Sequence, residues 1–391
     1  MNTPAADYDS SSQNRAQNRV EHRAENRAQN RVEHRARVAV LYGGQSTEHS
    51  VSCISAGAIM DHLDSTRYEV IPVGITPQGA WVPGATDTTE LRANGREMPT
   101  VRDRGEHVQL VLGAQRGELR YISGERAGET FATIDVIFPV LHGQNGEDGT
   151  IQGLFELAGV PYVGNGVLAS AAGMDKEYTK RLASQAGVPC GEELILTENR
   201  ELTADEQQRL GLPVFVKPAR GGSSIGISKV DEWEDFPQAV EIAFDHDGKV
   251  IVESMIHGRE VECGVLQYPE GSVVASAPAM LEGTEDSNEG FYGFDAKYVD
   301  NNVTPSIPAP IGEEATAEVR RLAVRTFEAL NCEGLARVDF FVTDSGQVIL
   351  NEINTLPGFT PISMYPQMFI AGGMKYSQLL DILIARALVN D

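Results

Sequence analysis

Residues 337–354 read RVDFFVTDSGQVILNEIN. Two apolar runs flank Asp344-Ser345-Gly346, a trio of turn formers, so the stretch reads as a β-hairpin. Side chains alternate faces along a strand, which puts Arg337 and Asp339 on one side of the first strand and Glu352 and Asn354 on one side of the second. Symmetric pairing about Ser345-Gly346 sets Asp339 opposite Glu352 and Arg337 opposite Asn354. Two directly opposed carboxylates repel unless a cation lies between them. Asp339, Glu352 and Asn354 form an oxygen set suited to Mg²⁺ held partly by protein and partly by nucleotide phosphates. A solvated hairpin face is the plainer reading. Phe341, Leu350 and Ile353 weigh against it by marking the strands as buried, and buried carboxylates need partners.

Upstream, Lys217-Pro218-Ala219-Arg220-Gly221-Gly222-Ser223-Ser224-Ile225-Gly226 places a lysine at a strand end before a Gly/Ser turn. Such a turn aims backbone N–H groups and hydroxyls at phosphate oxygens. The order is the reverse of a P-loop, and no GxxxxGK[ST] occurs. A strand lysine beside a glycine flap follows the logic of a kinase lid. Alone, the motif is equally a surface hairpin. Glu253-Ser254-Met255-Ile256 ends a strand and Glu260 opens the next, a weak signal for adenine and ribose binding.

The first half alternates strand and helix: a strand over Arg37–Tyr42, a helix over Glu48–Leu63, strands over Tyr68–Ile75 and Asp135–Leu141, and a helix over Thr150–Ala158. This implies a parallel α/β domain over 38–165. Residues 77–130 read as an insertion, a hairpin with alternation at Val108–Leu112. Two loops, Gly43–Ser50 and His142–Gly149, lie at the carboxyl edge of the sheet, where open α/β folds bind ligands. A dinucleotide reading of the first loop fails for want of G-x-G-x-x-G. A helical segment over 166–188 then leads to an α+β second half of two lobes, 166–252 and 253–391, with a closing helix over Tyr376–Leu388.

The chain has 391 residues and a net charge of −24, which repels nucleic acid and anionic membrane and argues against both as partners. No apolar run is long enough to span a bilayer, and nothing at the start reads as a signal peptide. The four cysteines, Cys53, Cys190, Cys263 and Cys332, share no metal-like spacing and read as buried thiols of a reduced, cytoplasmic protein. Residues 1–37 contain a four-residue repeat with arginine at every fourth position from 15 to 35. It lacks an apolar face and reads as a disordered tail or marginal helix.

In this order, the pieces resemble the D-alanine–D-alanine ligases of the ATP-grasp superfamily. The resemblance covers about 37–391. It rests on Leu41–Ser52 (LYGGQSTEHSVS), Leu141–Gly153 (LHGQNGEDGTIQG), Met174-Asp175-Lys176, Lys217–Gly226, Lys297-Tyr298, Arg337–Asp339 and Glu352–Met364 (EINTLPGFTPISM). It implies an N-terminal α/β domain followed by a two-lobed ATP-grasp fold, and a homodimer. It also implies ATP-dependent joining of two D-alanines through an acyl phosphate, with two Mg²⁺ (or Mn²⁺). By resemblance Glu48 binds the ammonium of the first D-alanine and His142 lies near its carboxylate. Lys176, Lys217, Ser223, Ser224 and Lys297 serve the ATP phosphates. Glu253, Met255, Ile256 and Glu260 hold adenine and ribose. Asp339, Glu352 and Asn354 bind metal, and Arg337 and the Gly358 N–H face the oxyanion. Ser363 and Met364 hold the second carboxylate, and Glu48, Ser223 and Tyr298 link the lobes. The glycine loop and a segment near Gly283–Val299 would be lids. The rivals are a D-alanyl-D-lactate or D-alanyl-D-serine ligase, which the resemblance at Tyr298 disfavours in the lactate case, a carboxylase-type ATP-grasp enzyme, and a non-catalytic nucleotide-binding module. The tail and the insertion receive no role.

Overall fold

The computed structural model describes residues 35–95, 97–113, 117–222, 225–282, 304–360 and 362–389. Most of the repeat tail, all of the lid segment Gly283–Val299, and the candidates Ser223, Ser224, Lys297 and Tyr298 lie outside the described residues.

β1 (Ala36–Gly43), α1 (His49–His62) and β2 (Tyr68–Ile75) open the fold, with β1 and β2 parallel. β1 is buried from Val38 to Gly43, the near-continuous apolar run of a strand covered on both faces. Gly43 ends it at φ +93°, where a Cβ would meet the Ile75 carbonyl oxygen at 2.3 Å, so only glycine lets the chain leave so close to β2. β3 (Trp81–Pro83) turns back antiparallel on β2. β4 (Val108–Leu110), β5 (Glu118–Tyr121) and β6 (Thr130–Thr133) form a separate antiparallel sheet. The insertion is therefore more than the single hairpin expected. Leu110, Leu119 and Tyr121 find an apolar base in the cluster of Leu41, Ile137 and Phe155, and this gives the extra strands a core to pack on. β7 (Val136–Val140) pairs parallel with β1 and completes the order β3-β2-β1-β7.

After α2 (Thr150–Ala158), the expected single helical segment is two helices, α3 (Val167–Met174) and α4 (Lys176–Gln185). Asp175 leaves helical geometry (φ −97°, ψ 106°) and its side chain caps α4. β8 (Glu193–Leu196) and α5 (Ala204–Leu210) were not legible as elements. α5 nevertheless carries a capping box between Thr203 and Glu206. β9 (Val214–Pro218), β10 (Ser228–Val230), α6 (Phe236–Phe244) and β11 (Val250–Ser254) follow, and the second sheet runs β10-β9-β11-β8.

The third sheet collects β12 (Arg259–Gln267), β13 (Val273–Ala275), β14 (Ala279–Glu282), β15 (Thr304–Ser306), β16 (Leu335–Val342) and β17 (Val348–Asn354). Its order is β15-β14-β12-β16-β17, with β13 also on β12. One face is covered by α7 (Glu313–Ala329), which buries Ala315, Val319, Leu322, Ala323, Thr326 and Phe327 at helical spacing. The β16–β17 register sets Arg337 opposite Asn354 and Asp339 opposite Glu352, as read from the sequence. The turn is centred differently, with Val342 facing Val348, and a bulge between Asp339 and Phe340 absorbs the one-residue difference.

α8 (Met364–Ala371) and α9 (Tyr376–Val389) end the chain. α9 returns to the first sheet: Leu379, Leu380, Leu383 and Ile384 share one buried cluster with Val38, Val40, Tyr42 and Phe138. Each fully buried side chain of this kind contributes about 1.5–3 kcal/mol. The last helix thus fastens the first domain to the C-terminal half. Cys53, Cys263 and Cys332 are buried free thiols, whereas Cys190, expected to be buried, is only half-buried because it lines an open cleft with Lys180, Arg181 and Glu192. No helix among the described residues is long and apolar enough to cross a membrane.

Candidate active site

At the hairpin end, register alone brings the acids and the arginine together. Arg337 donates from Nε and Nη2 to the two oxygens of Asp339 at 2.8 and 2.7 Å. Asn354 Nδ2 donates to Asp339 Oδ2 at 3.0 Å. Glu262, facing Asp339 from β12, puts Oε2 3.3 Å from Arg337 Nε. Burial works against the guanidinium charge, but Asp339 and Glu262 hold Arg337 well above its ordinary pKa. Among the described residues no three His, Cys, Asp or Glu side chains form a ready metal cage. The donor set is two carboxylates and the amide oxygen of Asn354. That set fits Mg²⁺, which completes its oxygen shell with phosphates and water.

Lys176, the first residue of α4, joins this end to the flap: Nζ donates to the Gly221 carbonyl at 2.8 Å and lies 3.5 Å from Glu352. Lys217 on β9 and Glu253 on β11 form an ion pair, and Lys180 reaches the other oxygen of Glu253. Lys180 also lies 3.3 Å from Glu193. Burial, with Lys180 and Lys176 close by, pulls Lys217 down to about 7, while Glu352 and Glu260 act in the opposite sense. The Met255 N–H is bonded to the Pro213 carbonyl at 3.0 Å, and Glu260 accepts from Asn351 at 3.4 Å. Ile256 lies against Gly191. Lys180 and Glu193 escaped the sequence reading. The available signal was the i, i+4 spacing from Lys176 to Lys180, which puts both lysines on one helix face.

The third end is made of loops. Glu48 immediately precedes α1, and the Gly43–Glu48 loop is tied down by Ser52, whose Oγ accepts from the Gly43 N–H at 2.7 Å and donates to the Val140 carbonyl. His142 Nδ1 donates to the Leu356 carbonyl at 3.1 Å. Glu147 accepts from the N–H groups of Gly143 at 2.7 Å and Leu356 at 3.1 Å. Both backbone polar groups of Leu356, just after β17, are therefore held by one loop of the first domain. Burial lowers the pKa of His142, and Glu48 opposes that shift. A neutral imidazole donating from Nδ1 presents a bare lone pair at Nε2, and this atom is buried without a partner among the described residues. Burial, with Glu48 adding to it, pushes Glu147 up to about 8. Glu147 was also missed. It is the first of the two acids in GEDG, and periodicity has no purchase on a loop.

Gly358 packs against Ser363, whose Oγ would lie 2.9 Å from a Cβ at 358. Ser363 and Met364 open α8, whose free N–H groups favour a carboxylate. The three ends are continuous: the Glu147 carboxylate feels both Glu48 and Arg337, and Lys217 feels Glu352.

Comparison with known proteins gives the family of the chain. Residues 37–165 match the family described as the D-ala D-ala ligase N-terminus, and residues 182–385 match the D-ala D-ala ligase C-terminus. The chain belongs to the D-alanine–D-alanine ligase family. It is 68% identical over 361 residues to a D-alanine–D-alanine ligase of Corynebacterium jeikeium, covering 90% of this chain and 96% of that relative. It is 56% identical over 359 residues to one of Rhodococcus opacus, covering 90% of this chain and 97% of that relative. A solved D-Ala:D-Ser ligase from Enterococcus faecalis superposes with a TM-score of 0.78 at 36% identity, over 90% of this chain and 100% of its own. The D-alanine-D-alanine ligase from Coxiella burnetii gives 0.76 at 33% identity, over 91% of this chain and 94% of its own. In the terms of this ligase family, the β3-β2-β1-β7 sheet belongs to the N-terminal domain and the second and third sheets to the ATP-grasp fold.

Proposed function

We propose that the protein is an ATP- and Mg²⁺-dependent ligase that joins two D-alanines for peptidoglycan precursor synthesis. The observation that carries this reading is the meeting, across Leu356, of an acid–arginine hairpin flanked by lysines with a pocket holding Glu48 and His142.

A free carboxylate is a poor electrophile. An oxygen of the first D-alanine's carboxylate attacks the γ-phosphorus of ATP, ADP leaves, and a D-alanyl phosphate remains. The amine of the second D-alanine, having given up a proton, attacks the acyl carbon, and inorganic phosphate leaves from the tetrahedral intermediate. Glu48 takes the ammonium of the first substrate. His142 sits beside it, meeting N–H donors with its Nε2 lone pair and a carboxylate only as imidazolium. Lys176 and Lys217, with Ser223, Ser224 and Lys297, neutralise the phosphates. Glu253, Met255, Ile256 and Glu260 hold adenine and ribose. Asp339, Glu352 and Asn354 hold Mg²⁺ (or Mn²⁺), which neutralises phosphate charge. Arg337 and the Gly358 N–H stabilise the oxyanion, and Ser363 and Met364 receive the second carboxylate. Tyr298, with Ser223 and Glu48, holds the closed arrangement, because a phenol with a pKa near 10 is a poor base at neutral pH.

We further propose domain limits at 38–165, 166–252 and 253–391, a homodimer and a cytoplasmic location. Incubation with ATP, Mg²⁺ and D-alanine, with phosphate and dipeptide measured together, tests the reaction. One phosphate per dipeptide is expected, and phosphate without dipeptide overturns the ligase reading.

A further inference from the structure

We propose that Glu262 is a positioning residue that keeps Arg337 aimed at the tetrahedral intermediate while Asp339 is engaged with Mg²⁺. The inference rests on the proposed function, in which Arg337 faces the oxyanion and Asp339 is a metal ligand.

Asp339 has two demands on the same pair of oxygens. Both accept from Arg337, one from Nε and one from Nη2, and Oδ2 accepts from Asn354 as well. A carboxylate drawn onto a dication has less electron density left for a guanidinium, so Arg337 is held least firmly when the metal is in place. A second anchor removes that weakness. Glu262 lies directly across from Asp339 on the neighbouring strand, is only 6% exposed, and holds Oε2 3.3 Å from the same Arg337 Nε. The Nε hydrogen points at Asp339 Oδ1, at 2.8 Å, and a small rotation of the guanidinium passes it to Glu262. Strand alternation supplies the placement. Glu260 and Glu262 share one face of β12, with Glu260 opposite Phe341 near the nucleotide end and Glu262 opposite Asp339. Gly264 faces Arg337 itself, so the next position of β12 on that face offers no acceptor side chain. Arg337 Nη1 has no hydrogen bond among the described residues and is the donor left for the oxyanion. An arginine with two of its nitrogens bonded to one carboxylate and a second buried carboxylate 3.3 Å from its Nε loses little freedom when the third binds.

A double-mutant cycle tests this on the full-length enzyme with ATP, Mg²⁺ and D-alanine. Arg337→Ala is expected to lower kcat by about 10²–10³, the usual loss for one oxyanion donor. Glu262→Gln is expected to lower kcat by about tenfold, the scale of a weakened charge-assisted hydrogen bond. The KM for ATP and the Mg²⁺ concentration for half-maximal rate stay unchanged. In the double variant kcat is expected to be no lower than in Arg337→Ala alone. Multiplied losses overturn the inference while leaving the functional reading intact. A raised Mg²⁺ requirement in Glu262→Gln also overturns it, by making Glu262 part of the metal's own surroundings. An unchanged kcat in Arg337→Ala defeats the functional reading and the inference together. If Glu262→Gln does not fold, the same cycle is run with Glu262→Asp, which keeps the charge but withdraws it by one methylene. A loss that vanishes in the Arg337→Ala background supports the inference, and multiplied losses overturn it.

Discussion

At the hairpin end of the site, Arg337, Asp339, Glu352 and Asn354 sit on two paired strands and meet because the register makes them meet. At the amino-acid end, Glu48, His142, Glu147 and Gly358 come from three loops, and His142 and Glu147 reach across to the backbone of Leu356 in the C-terminal half. The first arrangement is fixed by local pairing. The second exists only once α9 has closed the first sheet against the C-terminal half. The chemistry divides in the same way: the strands present charge that has to stay in place, and the loops present a pocket whose shape depends on how the domains sit.

The sharpest way to break this contrast is at the strands. Glu352→Gln keeps the shape and the fold but removes one of the two carboxylates offered to Mg²⁺, so turnover is expected to fall by about 10³ or more while thermal unfolding stays cooperative. Near-normal turnover at saturating Mg²⁺ would take Glu352 out of the metal site. The loops are expected to respond more mildly. Glu147→Gln can still accept one of its two N–H bonds but turns an amide NH₂ toward the other. The KM for the first D-alanine is expected to rise by about tenfold, with the KM for ATP unchanged. A change confined to ATP would show that Glu147 does not serve the amino-acid end.

Per pH unit, the effect expected at the lysines is no larger than that of Glu147→Gln. Lys217, held near 7, is about half protonated at neutral pH. ATP phosphates favour the ammonium form, so binding takes up a proton. The apparent Kd for ATP therefore rises with pH above about 7, by up to about tenfold per unit, until ordinary lysine pKa values near 10 are reached. Lys217→Arg, always charged, is expected to flatten that rise, as calorimetry in buffers of different ionisation heat would show. An equally steep rise in the variant would assign it to another group.

The strands that build the metal end were readable because period-two alternation states which side chains share a face. It placed Asp339 opposite Glu352 and Arg337 opposite Asn354, and the bulge after Asp339 preserved that pairing although the register nearer the turn differs by one residue. The same rule would have found Glu262, two residues after Glu260, but only if β12 had been known to lie beside β16. Sheet neighbours far apart in sequence are not encoded locally. The loop residues His142, Gly358 and Ser363 were reached through family resemblance, since a loop has no period. Glu147, Lys180 and Glu193 were missed because each acts on a residue distant in sequence: Leu356, Glu253 and Lys180. The break at Asp175 was hidden because aspartate is tolerated in a helix and becomes a cap only when its backbone turns out of it. The insertion was underestimated for a related reason. Its strands pack on the cluster around Leu41 and Phe155, not on each other alone.

The central claim is that the pocket couples two D-alanines, and one competition assay meets it directly. The enzyme is given ATP, Mg²⁺ and equal concentrations of D-alanine, D-serine and D-lactate at neutral pH, and the products are scored by mass. The acidic surroundings of Glu48 favour an amine-bearing second substrate, so D-alanyl-D-alanine is expected to dominate by a wide margin over D-alanyl-D-lactate and to exceed D-alanyl-D-serine. Mainly D-alanyl-D-serine or D-alanyl-D-lactate would contradict the account.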